Sequence, residues 1–77
     1  MKEKVLKVLS QIMEVSITRL SEKSSAESVE NWDSLRHMNL ILALEEEFKV
    51  SFSDSEIVDM LSVDAILKCL NGKTKKR

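Results

Sequence analysis

The chain has 77 residues, 43% of them hydrophobic and 32% charged, with a formal net charge of −1, one glycine and no proline. A chain this short folds as one small domain, burying roughly 60% of its unfolded surface, and so few chain breakers predict a run of helices. A lone cysteine, Cys69, excludes an internal disulfide, no apolar stretch approaches the roughly 20 residues that span a bilayer, and three aromatic residues are too few for a base-stacking platform.

The start, Met1-Lys2-Glu3-Lys4, leads into an amphipathic pattern rather than an apolar leader, which together with the single cysteine predicts a cytoplasmic address. Val5, Leu6, Leu9, Ile12 and Met13 fall on one helical face, opposite Lys4, Lys7, Gln11 and Glu14. This pattern predicts a first helix from Lys2 to Met13 or Glu14. Ile17 and Leu20 are expected to pin the following segment to the core. Ser21 to Asn31, rich in serine and acids, reads as a long ordered loop of the kind more often functional than idle.

Asp33 is a good N-cap, its carboxylate able to accept the unpaired amides of a first turn. The second helix then runs from Leu35 to Phe48 and closes on Glu45, Glu46 and Glu47, which oppose the helix dipole. Ser53-Asp54-Ser55-Glu56 has capping-box spacing and announces a short third helix, about Asp54 to Met60. Ser62 caps a fourth, with Val63, Ile66, Leu67 and Leu70 on one stripe and Asn71-Gly72 as its stop. The fold class is therefore all-α, a small four-helix bundle over residues 1–72, with a mobile basic tail over 73–77.

That tail hides an asymmetry. Four of the twelve basic side chains lie in Lys73 to Arg77, and from Glu27 to Asp64 ten acids face only Arg36 and Lys49. Such a centre excludes a nucleic-acid surface, which needs clustered positive charge, and suits docking onto basic patches of partner proteins. The tail itself reads as solubilising.

The second helix carries two apolar sectors. Leu40, Ile41, Leu44 and Phe48 form the core stripe, while Leu35, Met38 and Leu42 lie on a neighbouring sector in line with Ser34 and Glu45. One helix of so small a bundle hardly buries both. The bland reading makes Met38 and Leu42 the edge of a wide core stripe; the sharper one makes them an exposed, adaptable partner surface. With Asp33 available as the cap, the Ser34 hydroxyl is left free near the positive end of the dipole, where a phosphate ester is electrostatically favoured. His37 and Cys69 have no companions at ligand spacing. They read as a packing or rim residue that senses whatever Ser34 bears, and as a half-buried small side chain.

Trp32-Asp33-Ser34-Leu35, followed by Ala43-Leu44-Glu45-Glu46-Glu47-Phe48, resembles the acyl carrier protein family, whose signature is Asp-Ser-Leu opening the second helix. The resemblance covers nearly the whole chain. It implies a 4′-phosphopantetheine on Ser34, added from coenzyme A by a phosphopantetheinyl transferase that needs Asp33, with acyl groups held on its thiol. It also implies a non-catalytic monomer that meets acyl-loading and acyl-using enzymes through Leu35, Met38, Leu42 and Glu45, without membrane insertion. The family shelters acyl chains between its second, third and fourth helices. By matching position, Leu40, Ile41, Leu44, Phe48, Phe52, Ile57, Met60, Leu61, Ile66 and Leu67 are the candidates for core or cavity.

Three features depart from the fatty-acid-synthesis members: Arg36-His37 after the signature, a lower total acidity, and Trp32 before it. Trp32 in that place looks more like carriers of specialised pathways such as polyketide, lipopeptide or surface-polysaccharide assembly. A Gly-Gly segment typical of peptidyl carriers is missing, and a D-alanyl carrier stays open. The competing reading is a helical interaction module that binds an amphipathic partner helix on the Met38–Leu42 face and is never modified.

Overall fold

Val5, Val8, Leu9 and Met13 recur at helical spacing and are buried along one side of α1 (Lys2–Met13), which packs against both α2 (Ser34–Phe48) and α4 (Val63–Thr74). Between α2 and α4 lies the six-residue α3 (Asp54–Asp59), and one 3-10 turn, Ile17–Arg19, follows α1. The computed structural model describes residues 2–74, and among these no strand occurs, so the predicted all-α bundle with a short third helix is the observed architecture.

The core joins the α1 stripe to Leu40, Ile41 and Leu44 of α2 and to Met60, Val63, Ile66 and Leu70. Each such side chain contributes about 1.5–3 kcal/mol by leaving water. Phe48, Ile57 and Leu67 are only half-buried against it.

Helix α1 ends without a glycine. Glu14 takes the left-handed conformation itself, with φ 58°, which is unfavourable for a residue with a side chain. Other segments supply the missing partners: Asn31 Nδ2 donates to the Met13 carbonyl and Arg36 Nη1 to the Ile12 carbonyl, each at 2.7 Å. At the other end of the bundle, Lys49 closes α2 in the same left-handed way, with φ 58°.

The expected long loop is ordered by its serines. The Ser24 hydroxyl accepts from the Ser21 amide and the Ser28 hydroxyl from the Ser25 amide, both at 2.9 Å, closing successive turns. Two backbone bonds then stitch the loop to the α3–α4 connection, Ala26 N–H to the Leu61 carbonyl at 2.8 Å and Val63 N–H to the Ser24 carbonyl at 2.9 Å. The middle of the loop is thereby tied to the α3–α4 connection, and its far end is held by Asn31 on the Met13 carbonyl.

Three expectations are corrected. Ile17 does not pin the loop: it is exposed within a turn capped by Ser16, and Leu20 takes the inward place. Leu61 is 45% exposed rather than in the core, because its backbone is bridged to Ala26 and its neighbours Met60 and Val63 fill the interior. Helix α4 does not stop at Asn71-Gly72 but continues to Thr74. Gly72 is not in the left-handed conformation a glycine stop uses, and Lys73 is tied to Glu56 of α3 at 2.9 Å. Residues 75–77 of the expected tail lie outside the described residues.

Candidate functional site

Asp33 sits just before α2 in extended backbone, φ −108° and ψ −175°, and its Oδ1 accepts the Arg36 amide at 2.9 Å. It is therefore the N-cap that the sequence predicts, and it satisfies one of the donors that a helix start leaves unpaired. Ser34 is the first residue of the helix, and its side chain is exposed. The hydroxyl is thus accessible on the turn where the helix dipole is positive.

Beside it runs an apolar strip on the solvent side of α2: Leu35 is 72% exposed, Met38 46% and Leu42 61%. This agrees with the two-sector reading of the helix, since Leu40, Ile41 and Leu44 are buried on the other sector. Val58 of α3 and Leu61 after it are also exposed and apolar. A six-residue helix is too short to reveal a face by periodicity, so no sequence signal marks Val58.

Glu45, expected on the same face, is only half-exposed and also supports the fold, since its Oε2 accepts the Phe52 amide at 2.9 Å. Of the other two glutamates, Glu47 pairs with Lys4 at 3.3 Å. The acidic end of α2 is thus partly held by ties to the α2–α3 loop and to α1.

The two residues that follow Ser34-Leu35 turn inward. Arg36 reaches the carboxyl end of α1, its Nη1 within 3.8 Å of Glu14 Oε2 as well as bonded to the Ile12 carbonyl. His37 is buried, and both ring nitrogens are engaged, Nδ1 with the Trp32 indole at 3.0 Å and Nε2 with the Ile57 carbonyl at 2.8 Å. An indole N–H can only donate, so Nδ1 must accept; the proton then sits on Nε2 and is given to Ile57. His37 joins the loop before α2 to α3, with Trp32 buried alongside it. The clue in the sequence was an indole five residues before an isolated histidine.

Lys73 Nζ also lies over the Phe52 ring, 5.6 Å from its centroid, which fastens α4 to the loop before α3. Cys69 is half-buried, and burial first, then the charge of Glu56, pushes its thiol above the ordinary range.

No family model matches the chain. It is 30% identical over 74 residues to an acyl carrier protein of Buchnera aphidicola subsp. Schizaphis graminum, an alignment covering 96% of this chain and 94% of that protein. A second acyl carrier protein, from Thermosynechococcus vestitus, is 34% identical over 71 residues, covering 92% of this chain and 88% of its own length. A four-helix bundle of this order, similar to those carriers along almost its full length, belongs to the acyl carrier protein family, whose members hold acyl groups rather than catalyse their chemistry.

Proposed function

We propose that Ser34 is the attachment point of 4′-phosphopantetheine and that the chain delivers acyl thioesters to the enzymes of a specialised biosynthetic pathway. The observation that carries this reading is the exposed Ser34 hydroxyl on the first turn of α2, with Asp33 already serving as the cap. The residues present fit the group. A phosphodiester on Ser34 would face solvent at the positive end of a helix, where anions are stabilised by about 0.3–1 kcal/mol. When bound, the group supplies a thiol on a long flexible arm, and tethering keeps an acyl group at high effective concentration near a docked enzyme.

The chain's own residues present and orient that arm. Asp33 fixes the helix start and stands next to Ser34 for recognition by a phosphopantetheinyl transferase. Leu35, Met38 and Leu42 form the partner surface, with Val58 and Leu61 extending it, and Glu45 holds its lower end in place. Arg36 and His37, which depart from the fatty-acid-synthesis pattern, are both committed to internal ties. Among the described residues no helix is long and apolar enough to cross a membrane, and the acidic centre suits docking onto basic patches of partner enzymes.

Co-expression with a promiscuous phosphopantetheinyl transferase tests the reading. The mass of the protein should rise by about 340 Da, and the gain should vanish in Ser34→Ala. An unchanged mass with every transferase tried would instead support the unmodified interaction module.

A further inference from the structure

Val58, the part of the exposed apolar strip that α3 supplies, stands on a helix that apolar burial hardly holds. None of the six residues of α3 is fully buried, and Ile57 alone among its side chains packs against the core cluster. The first turn is fixed by polar ties, the Ser53 and Glu56 capping box with Lys73 of α4 on the Glu56 carboxylate at 2.9 Å. The last turn has fewer. Its Ile57 carbonyl takes the Met60 amide at 3.3 Å from within the turn, and His37 Nε2 at 2.8 Å from α2. Among the described residues, the second is the only hydrogen bond that joins residues 57–60 to another element.

Losing that bond leaves the carbonyl its Met60 partner, so what His37 supplies is chiefly geometry. Val58 is the next residue in the chain. His37 is itself well fixed: it is buried, and its Nδ1 accepts from the Trp32 indole at 3.0 Å, with the two rings stacked 6.1 Å apart. A rigid donor on α2 therefore grips the backbone one residue before the exposed valine of α3.

We infer that His37 is a positioning residue for partner docking: through the Ile57 carbonyl it sets where Val58 stands relative to Leu35, Met38 and Leu42 on α2. This rests on the reading of that strip as the partner surface. The partner it suits is a protein whose apolar surface meets both helices at once.

Two substitutions divide the histidine's bonds. Asn places its amide near Nδ1, so His37→Asn keeps an acceptor for Trp32 and ends short of Ile57. Gln reaches as far as Nε2, so His37→Gln keeps the donor to Ile57 and leaves the indole unpaired. Each loses one bond and some stability, but only Asn loses the positioning bond.

The test uses the apo-protein as substrate of a promiscuous phosphopantetheinyl transferase with coenzyme A. In His37→Asn the KM for the protein should rise about fivefold with kcat unchanged, the sign of lost docking with Ser34 undisturbed. His37→Gln should stay within about twofold of the unsubstituted protein although its melting temperature also falls. Val58→Ala should raise KM by itself, and His37→Asn added to it should cost less than about twofold more, whereas Leu42→Ala and His37→Asn should multiply. Equal effects of Asn and Gln, independent effects of His37 and Val58, or no effect of Val58→Ala would overturn the assignment. Amide hydrogen exchange supplies a readout that needs no transferase: the Val58 and Met60 amides should exchange faster in His37→Asn and not in His37→Gln, and unchanged exchange in both sinks the proposal. Should His37→Asn fail to fold, His37→Gln decides, since a raised KM or faster exchange there is incompatible with positioning through Ile57. An unsubstituted protein whose mass no transferase changes counts against the modification of Ser34 itself, and the exchange measurement then decides the role of His37.

Discussion

Arg36 Nη1 donates to the carbonyl of Ile12 at 2.7 Å, so a side chain from the first turn of α2 completes the last turn of α1. With Asn31 on the Met13 carbonyl, it stands in for the glycine that α1 lacks and holds the site-bearing helix at a fixed place on its neighbour. The acyl carrier fold of this chain thus has the first turn of α2 tied on both sides, to α1 through Arg36 and to α3 through His37.

Arg36→Ala should destabilise the protein by about 1.5–3 kcal/mol, the usual range for a bond from a charged donor, as read from the denaturation midpoint in urea. Arg36→Lys recovers only part of this, because an ammonium is more strongly hydrated than a guanidinium and costs more to withdraw from water. Ser34 stays exposed in both variants, so transferase modification of the folded fraction should continue.

Leu42→Glu should separate docking from folding. Leu42 is 61% exposed, so its replacement changes stability by no more than about 0.5 kcal/mol. If the α2 strip is the docking surface, the kcat/KM of acyl transfer to partner enzymes should fall about tenfold, equivalent to about 1.4 kcal/mol. Unaltered transfer would place docking elsewhere.

The Ser53 amide first, and the Lys73 ammonium second, hold the Glu56 carboxyl below the usual carboxylate range. A carboxyl lowered in the folded state contributes stability that is present above its unfolded value and lost as pH falls through its folded one. Acid should therefore loosen α3 from α4 only below the ordinary carboxylate range. Lys73→Met should raise the midpoint of the Glu56 carboxyl resonance in an NMR titration, and a midpoint that does not move would show that Lys73 plays no part.

Gly72 lies inside α4, and a methyl group placed on it would meet nothing within 4 Å. Gly72→Ala should stabilise the protein by roughly 0.5–1 kcal/mol through better helix propensity and a less flexible unfolded chain. Thermal unfolding measures this, and a loss of stability would mean that the residue ends the helix after all.

The first turn of α2 was legible because its capping is local. Asp33, Ser34 and Leu35 are neighbours in the chain, and a cap needs only the three residues that follow it. The exposed strip of Leu35, Met38 and Leu42 was legible for a related reason: helical spacing alone separates it from Leu40, Ile41 and Leu44. Val58 and Leu61 were not, since α3 is too short for periodicity and the exposure of Leu61 depends on a bridge to Ala26, thirty-five residues earlier in the chain.

By itself, then, the sequence determined that this is a helical carrier, where its second helix begins and which hydroxyl opens it, because caps and amphipathic stripes are written within a few residues. Only the tertiary structure decided what Arg36, His37 and Lys73 do. Each is a polar side chain with a partner on another helix, Ile12 for Arg36, Ile57 for His37 and Glu56 for Lys73, and a partner reached that far across space leaves no trace in the spacing along the chain.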